Sequence, residues 1–148
     1  MRLLAVDDEI DLLLLYRIAL EVDGHEIVEA TNGLDALRLA QDAAASDRFD
    51  LVLLDMMLPG IDGLEVLTRL HEEPTTRDLP VVIVSARISV DDQIRALQSG
   101  AVAYLTKPFA VEHLREVVQS VGSLPRDGLD QLRVDALQRL GADDNDPS

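Results

Sequence analysis

The sequence predicts an α/β fold, a parallel sheet with helices packed on both of its faces. Three observations carry this expectation. First, the four-residue runs Leu3 to Val6, Leu51 to Leu54 and Val81 to Val84 are apolar throughout. Runs this short suit strands better than helices, and the absence of polar alternation places both of their faces in the interior. Second, segments with helical periodicity separate the strand-like runs, five strands alternating with five helices, a pattern that pairs strands in parallel through right-handed crossovers. Third, the three runs stop at Asp7, Asp55 and Ser85, and reactive groups in open parallel sheets gather at such carboxyl ends.

Each element follows from local pattern. The first strand, Leu3 to Val6, ends in Asp7-Asp8-Glu9. Ile10, Leu14, Ile18 and Val22 recur every four residues and predict a helix over 10–22, with Leu12, Leu13, Leu15 and Leu20 widening its apolar surface. Asp23-Gly24 ends it. Ile27 and Val28, flanked by Glu26 and Glu29, predict a half-exposed strand at the sheet edge. Thr31-Asn32-Gly33 turns into a second helix with Leu34, Leu37 and Ala40 on one face, closed by Ser46-Asp47. The third strand, Leu51 to Leu54, opens at Asp55 into a loop punctuated by Pro59, Gly60 and Gly63. A third helix carries Leu64, Leu67 and Leu70 and ends at Pro74, and a polar loop runs to Pro80. The fourth strand, Val81 to Val84, leads into Ser85-Ala86-Arg87. A helix with Ile94 and Leu97 follows, stopping at Ser99-Gly100. The fifth strand, Val102 to Leu105, leads into Thr106-Lys107-Pro108. Leu114, Val117, Val118 and Val121 then mark the most clearly amphipathic helix of the chain. Strands one, three and four, apolar throughout, belong in the middle of the sheet, and strand two is the edge candidate.

Composition narrows the function. The 148 residues suit one domain with an appendage. Hydrophobic residues make up 47% of the chain but aromatics only 3%, so the core is built from aliphatic side chains. A formal charge of −15 argues against nucleic acid as the direct partner, because a phosphate backbone repels such a surface. The absence of cysteine excludes a disulfide framework, a thiolate metal site and a thiol nucleophile. His25, His71 and His113 are scattered, whereas metal-binding histidines usually cluster. No apolar run approaches about 18 residues, and Met1-Arg2 leads directly into a strand. The expectation is a soluble, cytoplasmic protein without membrane insertion.

Adjacent parallel strands bring their carboxyl ends together. Asp7, Asp8, Asp55 and Ser85 then share one crevice, and Lys107 at the end of strand five can reach into it. Three carboxylates without imidazole or thiolate make a hard oxygen site suited to Mg²⁺, which binds oxygen at roughly 2.1 Å and keeps several waters. Acids packed this closely repel one another unless a cation joins them. Lys107 and the metal would leave room for a phosphoryl group, and Ser85 could donate a hydrogen bond to it. The predicted chemistry is attack by the Asp55 carboxylate on a phosphoryl donor, giving an aspartyl phosphate. Taken singly, each residue has an ordinary alternative: strand-end acids and Ser85 can be helix caps, and a lone lysine is usually solvated. The convergence of four strand ends carries the functional reading. Haloacid dehalogenase phosphatases also use a strand-end aspartate, but their motif needs a second acid two residues on, where Met57 stands here.

These pieces resemble the receiver (response regulator) domain of bacterial two-component signalling. The resemblance rests on Val6-Asp7-Asp8-Glu9, Ala30-Thr31-Asn32-Gly33, Leu54-Asp55-Met56-Met57-Leu58-Pro59-Gly60-Ile61-Asp62-Gly63, Leu79-Pro80-Val81-Val82-Ile83-Val84-Ser85-Ala86, Gly100-Ala101 and Tyr104-Leu105-Thr106-Lys107-Pro108-Phe109. They occur in the family's order and span about residues 2 to 121. The resemblance implies a flavodoxin-like doubly wound fold with strand order 2-1-3-4-5. It implies Asp55 as phosphoacceptor, Asp8 as direct Mg²⁺ ligand, Asp7 as its neighbour acting through water, and the Met57 backbone carbonyl completing the metal site. It places Ser85 and Lys107 at the phosphoryl-binding positions, and Tyr104 at the aromatic switch position on the face made by helix four, strand five and helix five. Met57 and Arg87 match positions that influence how long the phosphoryl group lasts. The Lys107-Pro108 bond is typically cis in the family, at a cost of about 0.5 to 1 kcal/mol. The implied partners are a sensor histidine kinase or histidine phosphotransfer protein upstream and a protein target downstream.

The organisation expected from the sequence is a receiver domain over 1–121, a linker over 122–128, a sixth helix over 129–141 and an acidic, disordered tail over 142–148. Leu129, Leu132, Ala136, Leu137 and Leu140 share one face of that helix. A helix of about 12 residues is marginal in water and needs a partner surface. Docking on its own receiver, a homodimer contact and the stub of a longer regulator all remain open. No DNA-binding or enzymatic output pattern follows the receiver. The chain therefore reads as a stand-alone switch acting by protein contact and not as an enzyme, with a phosphorylation-independent binding module as the alternative.

Overall fold

The computed structural model describes residues 1–43 and 47–141. The elements in order are β1 (Arg2–Val6), α1 (Ile10–Glu21), β2 (Glu26–Ala30), α2 (Gly33–Asp42), β3 (Leu51–Leu54), α3 (Gly63–Glu72), β4 (Val81–Ser85), α4 (Val90–Gln98), β5 (Ala103–Thr106), α5 (Val111–Ser123) and α6 (Arg126–Arg139). The strands form one sheet in the order β2-β1-β3-β4-β5. Every pairing is parallel, with Val6 opposite Leu54, Leu54 opposite Ile83 and Ser85 opposite Thr106. This is the flavodoxin-like arrangement, with β2 at an edge and the three apolar strands inside.

Strand periodicity divides the core into two layers. Leu4, Val6, Val52, Leu54, Val81 and Ile83 point to one face, where buried residues of α2, α3 and α4 cover them. Leu3, Ala5, Leu51, Leu53, Val82 and Val84 point to the other, covered by α1 and α5. Helix starts are fixed locally: Asn32, Asp62 and Ser89 accept hydrogen bonds from the backbone N–H groups of Asp35, Glu65 and Asp92.

Three expectations need correction. The row Ile10, Leu14, Ile18 and Val22 does not face the core: these residues are 54–79% exposed, and α1 buries Leu13, Tyr16, Ala19 and Leu20 instead. Apolar residues surround α1, so periodicity alone could not choose the inner face. Leu34 is likewise exposed, while Leu37 and Ala40 are buried. Finally, α5 continues to Ser123 and α6 begins at Arg126, so only Leu124 and Pro125 connect them in place of a linker over 122–128. Proline fits a helix start, where no intrahelical N–H bond is lost, and Gly128 is tolerated inside the helix. The expected tail over 142–148 lies outside the described residues.

Helix α6 lies across the β5 edge of the sheet. Its Leu129 and Leu132 pack against the α1–α5 layer, and its Ala136, Leu137 and Leu140 join the opposite layer.

Candidate functional site

The carboxyl ends of β1, β3 and β5 bring four charged side chains together. Asp7 follows β1, and Asp55 follows β3, whose last residue Leu54 pairs with Val6. Asp7 and Asp55 are 0% and 4% exposed, whereas Asp8 faces solvent. One carboxylate oxygen from each of Asp7, Asp8 and Asp55 lies within 4.8 Å of the others. Lys107, from beyond β5, donates from Nζ to Asp7 Oδ2 at 2.8 Å, to Asp55 Oδ2 at 3.1 Å and to Glu9 Oε1 at 3.2 Å. The second Asp7 oxygen accepts the Glu9 N–H at 2.9 Å, and the second Asp55 oxygen accepts the Met57 N–H at 3.1 Å. These bonds fix the rotation of both buried carboxylates.

One ammonium does not neutralise this cluster. Burial pushes the Asp7 carboxyl above the ordinary range and neighbouring Asp55 adds to the rise, outweighing the hydrogen bonds from Lys107 and the Glu9 N–H. Burial alone would lower the Lys107 ammonium, but the hydrogen bond to Asp7 and the charges of Asp55 and Asp7 more than reverse this and hold it protonated. Anion excess over three hard oxygen donors fits a divalent cation such as Mg²⁺. Histidine does not contribute: His25 Nδ1 lies 3.1 Å from the Met1 amino group, His71 Nδ1 lies 3.0 Å from the Leu67 carbonyl, and His113 is on α5.

Ser85, fully buried at the end of β4, accepts the Arg87 N–H on its hydroxyl at 3.2 Å. The Arg87 side chain is exposed, so its backbone is the part tied to this corner. Tyr104 stands half-buried on β5 opposite Ile83 and donates from its hydroxyl to the Arg87 carbonyl at 2.8 Å. Met57 is 51% exposed beside Asp55. The Lys107–Pro108 peptide is cis.

Three residues were not singled out from the sequence. Glu9 reaches Lys107, although its place in the Asp7-Asp8-Glu9 run was the only hint. Tyr16 is buried on α1, and burial together with the charges of Asp7, Asp55 and Glu9 pushes its hydroxyl pKa upward. Its ring stacks on Phe109 with centroids 6.4 Å apart and planes at 9°.

A five-stranded parallel sheet with an acid-rich crevice at its carboxyl edge, closed by a lysine from the last strand, defines a receiver-type domain. The family model for the response regulator receiver domain matches residues 3–119, and the chain belongs to that family. Among curated proteins, it is 42% identical over 112 residues to the uncharacterized transcriptional regulatory protein YkoG of Bacillus subtilis, covering 76% of this chain and 46% of that one. It is 40% identical over 125 residues to the transcriptional regulatory protein PrrA of Mycobacterium tuberculosis, covering 84% of this chain and 50% of the relative. The chain thus spans about half the length of these curated relatives. Among solved structures, the receiver domain of Francisella response regulator 1452 aligns with a TM-score of 0.74 at 30% identity, over 82% of this chain and 95% of that one. The chemotaxis response regulator CheY4 of Vibrio cholerae aligns with a TM-score of 0.74 at 29% identity, over 81% and 97%.

Proposed function

We propose that the chain is a phosphoacceptor switch in which Asp55 takes a phosphoryl group from a histidine kinase or histidine phosphotransfer protein. The observation that carries this reading is the buried Asp55 carboxylate, held by the Met57 N–H on one oxygen and by Lys107 on the other. In the transfer, an Asp55 oxygen forms a bond to phosphorus while the phosphorus–nitrogen bond of the donor phosphohistidine breaks. The released imidazole keeps the bonding pair and takes a proton from solvent. Lys107 is placed to exchange a carboxylate partner for a phosphoryl oxygen, and the Ser85 hydroxyl proton is available to another. Asp7, Asp8, Asp55 and the Met57 carbonyl would hold Mg²⁺, which supplies positive charge to phosphoryl oxygens when bound. Met57 and Arg87 flank the crevice, where they would influence attack by water on the acyl phosphate.

The donor must reach the crevice mouth, and the exposed row Ile10, Leu14 and Ile18 starts there and runs about 12 Å along α1. Such a row fits the apolar groove of a helical donor. On the output side, phosphorylation adds up to about two negative charges at Asp55. Ser85 then turns toward the phosphoryl group, Tyr104 leaves Arg87 and moves inward, and the α4–β5–α5 face changes shape for a protein target. The role is signalling in the cytoplasm by protein contact, without enzymatic turnover of a substrate. Among the described residues, no helix is long and apolar enough to cross a membrane.

The test is intact-protein mass after incubation with Mg²⁺ and acetyl phosphate, for wild type and Asp55→Asn. One phosphoryl increment that requires Mg²⁺ and is missing in the variant supports the reading. No increment with several small-molecule donors, with rapid loss of label excluded by quenched early time points, overturns it in favour of a phosphorylation-independent module.

A further inference from the structure

We propose that the α4–β5–α5 face is a helix-receiving groove, that α6 of the same chain fills it in the unmodified protein, and that phosphorylation at Asp55 releases α6 so that an amphipathic helix of a partner takes its place. The release half of this inference rests on the phosphoacceptor reading; the occupancy half stands on α6 alone.

Three observations support occupancy. The apolar side of α6 is inserted, not merely near: Ala136 and Leu137 are buried to 9% and 1% exposure in the same core layer as Leu97 and Ala101. Two arginines fix the register. Arg126 forms an ion pair with Asp78 in the loop before β4, and Arg133 donates from Nη1 to the Leu97 carbonyl at 3.2 Å, where α4 ends. The Leu97 carbonyl also accepts the Gly100 N–H at 3.1 Å, and the arginine adds a second donor there and complements the negative end of the α4 dipole. Moreover, α6 covers the β5 edge, which would otherwise offer unpaired strand backbone.

The same helix is built to leave. A partly open cleft of about 380 Å³ runs between it, β5 and α5, beside the points where α6 touches β5, lined by Tyr104, Val117, Val121, Leu132, Ala136 and Leu140 among others. The seat is therefore incompletely filled, and each missing contact weakens the hold. No side chain caps the start of α6, and Gly128 interrupts its first turns. A helix of this length lacks the means to persist alone, so folding of α6 and occupation of the groove are one equilibrium.

A contiguous path runs from Ser85, at the end of the strand next to β3, to the cleft under α6. Ser85 is tied to the Arg87 N–H, the Arg87 carbonyl to the Tyr104 hydroxyl, and the Tyr104 ring lines the cleft under α6. Inward movement of Tyr104 enlarges that cleft and removes wall from beneath Ala136 and Leu140. The partner that fits the vacated groove is a helix repeating the pattern of α6: apolar residues at the spacing of Leu129, Leu132, Ala136 and Leu140, with a basic residue facing the end of α4.

Hydrogen exchange on the full chain tests both halves. Spectra are taken with and without Mg²⁺ plus beryllofluoride, with acetyl phosphate labelling measured on the same preparations. The expected result is at least about tenfold faster exchange of α6 amides in the loaded chain, with α1 unchanged. Leu137→Asp should show fast α6 exchange without loading while still labelling at Asp55; Leu132→Asp, at a less buried position, serves if Leu137→Asp does not fold. A synthetic 126–141 peptide should bind the released variant at least about tenfold more tightly than wild type. A labelled chain whose α6 stays protected overturns release. Equal peptide binding by wild type and variant overturns occupancy. A chain that takes no label sinks the phosphoacceptor reading and release together, and the peptide comparison then decides occupancy by itself.

Discussion

Replacing Gly63 by alanine asks whether the close approach of α3 holds Asp55 in place. A Cβ on Gly63 would lie 2.2 Å from the Asp55 carbonyl oxygen, 2.6 Å from Met56 Cα and 2.9 Å from the Asp55 carbonyl carbon. All three are backbone atoms, so no side-chain rotation relieves the overlap. Ordinary contact starts at 3.4 Å, and the start of α3 or the Asp55 loop must yield. Overpacking that forces a backbone shift costs about 1–3 kcal/mol. The upper half of that range is expected, because the moving segment carries the Gly63 N–H bond to the Met56 carbonyl at 2.9 Å and the Asp62 cap on Glu65 at 2.9 Å. In a chain of this size that lowers Tm by roughly 5–10 °C. Misplacing a reacting group by ~1 Å can cost about a hundredfold in rate, so acetyl phosphate labelling should slow by about ten- to a hundredfold. Gly60→Ala is the control: its φ of +77° strains any side chain, but a Cβ there meets nothing within 4 Å. It should cost about 1–2 kcal/mol and leave labelling within about twofold. Thermal melts and mass-spectrometric time courses on both variants decide the matter. If Gly63→Ala melts and labels like Gly60→Ala, the close approach does not position Asp55.

Asp7→Asn should raise Tm at pH 7.5 in the absence of divalent cations, because burial disfavours the ionised carboxylate. A raised folded-state pKa means that the wild type loses stability as pH rises through it, so the advantage of the variant should shrink as pH falls toward 3.8, and a lower Tm for the variant at pH 7.5 would refute the argument. Mg²⁺ should stabilise the wild type, by about 1.4 kcal/mol at ten times its half-saturating concentration, and should stabilise Asp7→Asn less; equal gains in calorimetry would remove Asp7 from the metal site. Leu14→Asp should leave Tm and acetyl phosphate labelling unchanged but slow phosphotransfer from a cognate kinase by about tenfold, because Leu14 is 54% exposed on the proposed donor surface. Tyr104→Ala should label normally yet lose the difference in target affinity between the labelled and unlabelled chain, and a difference as large as that of wild type in a titration would refute the switch role of Tyr104.

The architecture was readable because its central strands are continuous apolar runs ending in functional groups. Leu51 to Leu54 needs both faces covered, and only a central position in a layered sheet supplies that. The convergence of Asp7, Asp55, Ser85 and Lys107 at one sheet edge followed from parallel pairing. The inward face of α1 was not readable, since Leu12, Leu13, Leu14 and Leu15 occupy successive directions around the helix and only packing on the sheet selects Leu13. The start of α6 was obscured because proline and glycine read as linker residues in a string, while at a helix start proline is favourable. The contact between Glu9 and Lys107 depends on how two loops meet, which no spacing within either loop encodes.

Lys107 lies 100 residues after Asp7, beyond the strand at the far edge of the sheet. During synthesis, Asp7, Asp8 and Asp55 leave the ribosome well before their ammonium partner. A nascent chain extending only through β4 carries the acids without the group that bridges them, and so cannot complete the pocket. If Asp55 is the phosphoacceptor proposed above, competence to receive a signal is tied to completion of the sheet, and a truncated translation product lacking Lys107 would be silent instead of wrongly active.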